Sequence, residues 1–142
     1  MMKKLFFLLL LFSGMSQSAK ADTIDFWHVY KNGIKVKEFN SFGKNELVIS
    51  QQLIQKGDTL TVRYFRDTPC SDCPTTLTVE DEKHRIITSA SGKGTFNPVS
   101  FPLRDVLAFS TATGKKTFEV FYKEGDANSR WDKTLLFAIR LE

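Results

Sequence analysis

The sequence predicts an all-β protein, an antiparallel sandwich with an immunoglobulin-like Greek key as its default arrangement. Three observations carry this expectation. Seven to eight short runs rich in branched and aromatic residues alternate in and out, with turn residues every 8–15 positions. Asn32-Gly33 lies between two such runs and is a strong hairpin signal, because both residues accept positive φ. Helical spacing is confined to one stretch, residues 100–109.

The first 21 residues have the order of a secretory signal peptide. Met1-Met2-Lys3-Lys4 is a basic start, residues 5–12 are an unbroken apolar run, and residues 13–21 are small and polar, ending Ala19-Lys20-Ala21. The eight-residue apolar core falls well short of the roughly 20 residues that span a bilayer. The expectation is therefore a removed leader (1–21), a single domain (22–142), export to the periplasm or beyond, and no stable membrane anchor after cleavage. Removing 21 of 142 residues leaves 121, enough for a real core.

Cleavage also changes the charge argument. The whole chain carries a formal +4, but Lys3, Lys4 and Lys20 leave with the leader. The remaining 17 Lys+Arg and 16 Asp+Glu nearly cancel. Nucleic acid and anionic lipid need a clustered basic field, so neither is an expected partner.

In chain order, residues 24–39 read as a hairpin. In its second strand Ile34 and Val36 are expected to face inward, and Lys35 and Lys37 water. The first strand is apolar on both faces over residues 26–30, which suggests a more buried position. A strand to Ser50 and an irregular link precede residues 59–65, where Leu60, Val62 and Tyr64 share a face. Residues 75–80 put Leu77 and Val79 on one face, Asp81-Glu82-Lys83 forms a charged turn, and residues 85–89 give a further strand. Residues 91–94 read as a flexible loop. Their Gly-Lys-Gly-Thr order lacks the glycine spacing and following helix of a phosphate-binding loop. Residues 100–109 suit at most two helical turns, with Pro102 in the first and Leu103, Val106 and Leu107 on one face, before a turn at 111–116. The last two strands place Phe118, Val120 and Tyr122, then Leu135, Phe137, Ile139 and Leu141, on single faces.

The sharpest chemical feature is Cys70-Ser71-Asp72-Cys73, which holds both cysteines of the chain. In an exported protein such a pair oxidises to a disulfide. A loop this short adds only about 2 kcal/mol of chain-entropy stabilisation. The bond therefore stiffens a turn or does redox chemistry. Redox use needs a depressed thiol pKa, commonly from a following helix. Pro74 and a strand follow instead, and Asp72 opposes thiolate formation, so the structural turn is favoured. A zinc site would need His28 and His84 beside the cysteines, but neither belongs to a paired ligand motif, and no metal or other cofactor is expected.

With two histidines and no nucleophile motif, the sequence carries no catalytic set. The best binding-loop candidate is residues 124–133, with Asp126, Asn128, Arg130, Trp131 and Asp132. It lacks the glycine and distal glutamate of a calcium loop, and Trp131 offers either a stacking surface or a core plug. The functional expectation is an exported, non-enzymatic sandwich that binds a protein or glycan through loops or a sheet edge. The alternative is a thiol–disulfide redox protein using Cys70 and Cys73.

Overall fold

The computed structural model describes residues 24–125 and 132–142. Their nine strands form two packed sheets, an all-β sandwich. The strands are β1 (Phe26–Lys31), β2 (Ile34–Asn40), β3 (Glu46–Ile49), β4 (Thr59–Phe65), β5 (Pro74–Glu80), β6 (Ile86–Lys93), β7 (Val99–Pro102), β8 (Thr117–Glu124) and β9 (Thr134–Leu141). One helix, α1 (Leu103–Thr113), joins β7 to β8, and a 3-10 turn, Gln51–Leu53, follows β3. The first sheet runs β2-β1-β4-β7 and the second β3-β9-β8-β5-β6. All pairings are antiparallel except β3 with β9, which is parallel. The chain crosses between sheets five times, from β2 to β3, β3 to β4, β4 to β5, β6 to β7 and β7 to β8.

The core fills the space between the inner faces. Trp27, Val29, Leu60, Val62, Val99 and Phe101 from the first sheet meet Leu77, Val79, Phe118, Val120, Phe137 and Ile139 from the second. Alternation assigns most of these correctly. β1 is an internal strand, as its composition suggests, with Trp27 and Val29 inward. The Asn32-Gly33 turn adopts φ of 51° and 81°, the left-handed pair that a tight hairpin needs.

Five expectations are corrected. Ile34 and Val36 do not face inward; they are 71 % and 41 % exposed. β2 is an edge strand, and the register shift opposite Val29 and Tyr30 skips Val36. Only Phe39 reaches the core from β2, stacking on Phe137 at 5.5 Å. In β9, Phe121 pairs Leu135 while Val120 pairs Phe137, so Leu136 is the extra residue of a bulge. The bulge turns Leu136 into the core and leaves Leu135 exposed. Residues 91–93 are strand rather than loop, because β6 runs on to pair Gly92 with Thr75. A Cβ on Gly92 would lie 2.9 Å from both Thr75 and Val99, so glycine is there for close packing. Residues 99–102 form a ninth strand, β7, where the helical pattern was expected to begin. Finally, α1 runs to Thr113, through part of the expected turn. Thr111 and Thr113 bond back to the carbonyls of Leu107 and Phe109. Gly114, at φ 74°, then caps the helix through its N–H to Ser110.

The pairings fix which connections share an end. Phe26 pairs with both Asn40 and Phe65, Pro74 with Lys93, and Tyr122 with Thr134. The β2–β3, β4–β5, β6–β7 and β8–β9 connections therefore all leave the same, upper end of the sandwich. The β1–β2, β3–β4 and β5–β6 connections leave the lower end.

Candidate functional site

The upper end is organised by the turn between β4 and β5. β4 ends at Phe65 and β5 begins at Pro74, so the cysteine turn sits directly above the sheet crossing. Cys70 and Cys73 are bonded, with Cα atoms 5.8 Å apart. The Cys73 N–H points to the Cys70 sulfur at 3.0 Å.

The turn is also tied to its neighbours. Cys70 N–H donates to Thr95 Oγ1 at 2.7 Å, and Thr95 N–H donates to the Cys70 carbonyl at 2.8 Å. Gly94 N–H donates to the Cys73 carbonyl at 2.9 Å. Gly94 has φ 84°, and a Cβ there would lie 2.8 Å from the Ser71 carbonyl oxygen. Glycine is thus required for conformation and clearance together. Thr95 is fully buried between the two loops. On the other side Gly125 N–H donates to the Pro74 carbonyl, and Arg66 pairs with Glu124 at 3.1 Å. One short turn thereby holds the β6–β7 loop and the start of the β8–β9 connection.

Beneath this lies an aromatic floor. Trp27 stacks on Tyr64 at 5.8 Å, and Tyr64 stacks across the sheets on Tyr122 at 4.6 Å. Tyr64 donates to Asp25 at 2.5 Å and Tyr122 to Glu124 at 3.0 Å. Burial, reinforced by the adjacent carboxylates, pushes both phenols above the ordinary tyrosine range. They remain proton donors, which suits a fixed hydrogen-bonded floor better than acid–base exchange.

The structure places some of the expected site residues here and not others. The cysteine turn continues into β5, with no helix N-terminus to stabilise a thiolate. Asp72 is exposed and lies 3.5 Å from Lys93. Asp132 is exposed. Asp126, Asn128, Arg130 and Trp131 lie outside the described residues. His28 is on the outer face of β1, beside Glu38, and His84 is in the β5–β6 turn at the lower end, so neither joins the cysteines. Among the described residues no group of three metal-ligating side chains comes together.

Sequence reading missed three buried carboxylates, Asp58, Glu80 and Asp81. Asp81, expected in an exposed charged turn, is completely buried. It accepts from the backbone N–H groups of Lys83 and Arg85, from the Arg85 guanidinium and from Lys115. Burial alone would raise its pKa, but these donors together hold it well below the usual carboxylate range. Glu80 is 2 % exposed and accepts from Lys133 at 2.5 Å and Thr78 at 2.9 Å. Lys133 crosses the ring of Phe121 to reach it, 4.2 Å from the centroid. Burial opposes ionisation of Glu80 too, and the Lys133 and Thr78 hydrogen bonds outweigh it. A turn-forming Asp followed two and four residues later by donors is the one local signal for Asp81. Nothing local announces Lys133, which comes from 53 residues away.

No family model, curated protein or solved structure matches the chain.

Proposed function

We propose that the protein is an exported binding module that engages a protein or glycan through the upper end of its sandwich. The observation carrying this is the convergence of loops there. The β4–β5 turn is locked by a disulfide and by hydrogen bonds to Thr95 and Gly94, and it abuts the base of the β8–β9 connection at Gly125. A turn fixed in this way on a packed scaffold is suited to recognition, because little of its ordering entropy remains to be lost on binding. The basic-apolar-small order of residues 1–21 supports export, and among the described residues no helix is long and apolar enough to cross a membrane.

The strand order also supports an immunoglobulin-like reading. β1-β4-β7 follows the A-B-E order of such domains and β5-β8-β9 the C-F-G order, with crossings at the equivalents of B–C and E–F. On that reading the cysteine turn and the β8–β9 connection stand where binding loops stand in variable domains. Architecture alone does not give a function, so the test is direct. Protein immobilised from the native source should capture a partner from envelope extract or a glycan array. Asp72→Arg at the upper end should abolish capture, and Lys56→Glu at the lower end should leave it intact. The reverse dependence would overturn the proposal. So would repeated failure to capture anything, combined with substrate turnover in an activity screen.

A further inference from the structure

The outer face of the first sheet carries side chains that the fold does not require. β1 and β4 are internal strands, and their inward residues Trp27, Val29, Leu60, Val62 and Tyr64 belong to the core. Residues on the other face of such a sheet meet solvent and are ordinarily polar. Here β1 turns Phe26, His28 and Tyr30 outward, opposite Phe65, Arg63 and Thr61 of β4. The rings form one cluster. Phe26 and Phe65 stack at 4.7 Å, His28 lies 4.9 Å from Phe65, and Phe96 of the β6–β7 loop lies 5.6 Å from Phe65. Phe96 is 41 % exposed.

Three properties define what this face would take. The first is charge. Glu38 is answered by His28 at 2.9 Å and Lys35 at 3.1 Å. Arg63 is exposed and has no carboxylate partner among the described residues, whereas Arg66, Arg85, Arg104 and Arg140 each have one. Arg63 is nonetheless held in place. Its Nε donates to the Phe96 carbonyl at 2.9 Å, and its guanidinium lies 6.0 Å from the centre of the Phe65 ring. With Nε engaged, the two Nη groups present a fork that matches a carboxylate. The second property is the absence of aliphatic side chains among these outward residues, which offer rings, hydroxyls and charge. The third is that β1 and β4 are paired on both sides, so neither offers a backbone edge to an added peptide strand. The ligand must be read by side chains alone, through a carboxylate, hydroxyls and C–H groups that lie against rings.

We propose that this face binds an acidic oligosaccharide, a short chain of hexuronate units. A carboxylate of the chain takes both Nη groups of Arg63. The C–H face of its sugar ring packs on Phe96 and Phe65, whose π-faces are electron-rich. Hydroxyls of the next unit reach Tyr30 and Thr61. Three outward residues of one strand cover about 14 Å, the reach of an oligomer rather than a single sugar. This inference does not rest on the reading of the upper-end loops.

The test is an NMR titration of the full chain, labelled with ¹³C and ¹⁵N, with tetragalacturonate. The Phe65 and Phe96 ring signals and the Arg63 Nε–H signal should shift and saturate in the millimolar range. Maltotetraose, which has sugar rings and hydroxyls but no carboxylate, should bind at least tenfold more weakly. Arg63→Gln, a change on the exposed surface, should weaken tetragalacturonate at least tenfold, the value of one charge-assisted contact. Arg63→Lys, which restores the charge without the fork, should recover only part of that loss. Asp72→Arg should leave the titration within about twofold at physiological salt, which separates this face from the upper-end proposal. Ring signals that do not respond to tetragalacturonate would overturn the inference. Equal binding of maltotetraose, or indifference to Arg63→Gln, would overturn the assignment of an acidic ligand. Tetraglutamate binding as tightly as tetragalacturonate would replace the glycan with an acidic peptide.

Discussion

Replacing Cys70 and Cys73 together with serine tests how the upper end is held. The bond closes a loop of only four residues, for which chain entropy predicts about 2 kcal/mol of stabilisation, against nearly 5 for a loop of a hundred. Three hydrogen bonds to the turn survive the substitution: Cys70 N–H to Thr95 Oγ1, Thr95 N–H to the Cys70 carbonyl, and Gly94 N–H to the Cys73 carbonyl. The double variant should therefore fold. In urea its midpoint should fall by the equivalent of about 2 kcal/mol with an unchanged slope. Hydrogen exchange should quicken over residues 66–74, while β4 and β8 keep their protection. Thr95→Val makes the comparison sharper. It removes the hydroxyl that caps Cys70 N–H and should cost about 1–3 kcal/mol, comparable to the covalent bond itself. Complete unfolding of the double serine variant would refute the short-loop argument. Two free thiols in freshly purified, unreduced protein would refute the structural role of the pair and put the thiol–disulfide reading first.

Other outcomes follow from the same structure. If residues 1–21 are a removed leader, intact mass of the purified protein should match a chain beginning at Asp22, and recovery of the uncleaved chain in membranes would reject the leader. Phe137→Ala should cost about 3–5 kcal/mol in denaturant melts, whereas Lys35→Ala on the exposed edge strand should stay within about 0.5. Asp58 is held down to about 2 by the Gln55 N–H, the Asn32 amide and the Lys31 ammonium. Its folded value lies below its unfolded one, so its stabilising effect is present above about pH 4 and is lost as pH falls toward 2. The difference in thermal midpoint between wild type and Asp58→Asn should accordingly be largest near neutrality and close up in acid. Gly114→Ala should cost about 1–2 kcal/mol for its left-handed backbone alone, and Gly94→Ala should cost more, because its Cβ also meets the Ser71 carbonyl. Equal losses in urea melts would mean that the contact at Ser71 is readily relieved.

Much of the sandwich is legible in the sequence because period-two alternation reports burial directly wherever a strand is internal and regular. β4 and β5 are read correctly for that reason, down to Leu60, Val62, Tyr64, Leu77 and Val79. The misreadings fall where alternation is not governed by the core. β2 alternates as an inward-facing strand does, yet it is the edge strand of the first sheet with a register shift that skips Val36, and Ile34 and Val36 are left exposed. The bulge in β9 shifts the pattern by one residue, which exchanges Leu135 for Leu136. Gly92 is read as flexibility because composition cannot distinguish a glycine chosen for mobility from one chosen for close approach. At the candidate site, the disulfide is foreseeable from the cysteine spacing and the leader-like order of residues 1–21, but its clamp is not. Thr95 and Gly94 lie more than 20 residues away from Cys70 and become neighbours only when β6 pairs with β5.

That long-range clamp bears on the function proposed for the upper end. A disulfide across four residues stiffens the turn internally but does not by itself fix where the turn points. Orientation comes from Thr95, which both accepts from and donates to the Cys70 backbone, and from Gly94, packed against Ser71. Both follow the last pairs of β6 with β5, so the direction of the turn is set by sheet pairing rather than by the bond. On the other flank the Pro74 carbonyl and Arg66 engage Gly125 and Glu124, and Glu124 in turn holds the Tyr122 hydroxyl of the inter-sheet stack. The two sheets and three loops are thereby joined through a few short contacts around one turn. Loosening the disulfide should raise local mobility yet leave the average presentation of the surface unchanged, whereas removing the Thr95 contact should reorient the turn. If the upper end recognises its partner by shape, affinity should fall further in Thr95→Val than in the double serine variant, even where their global stabilities match.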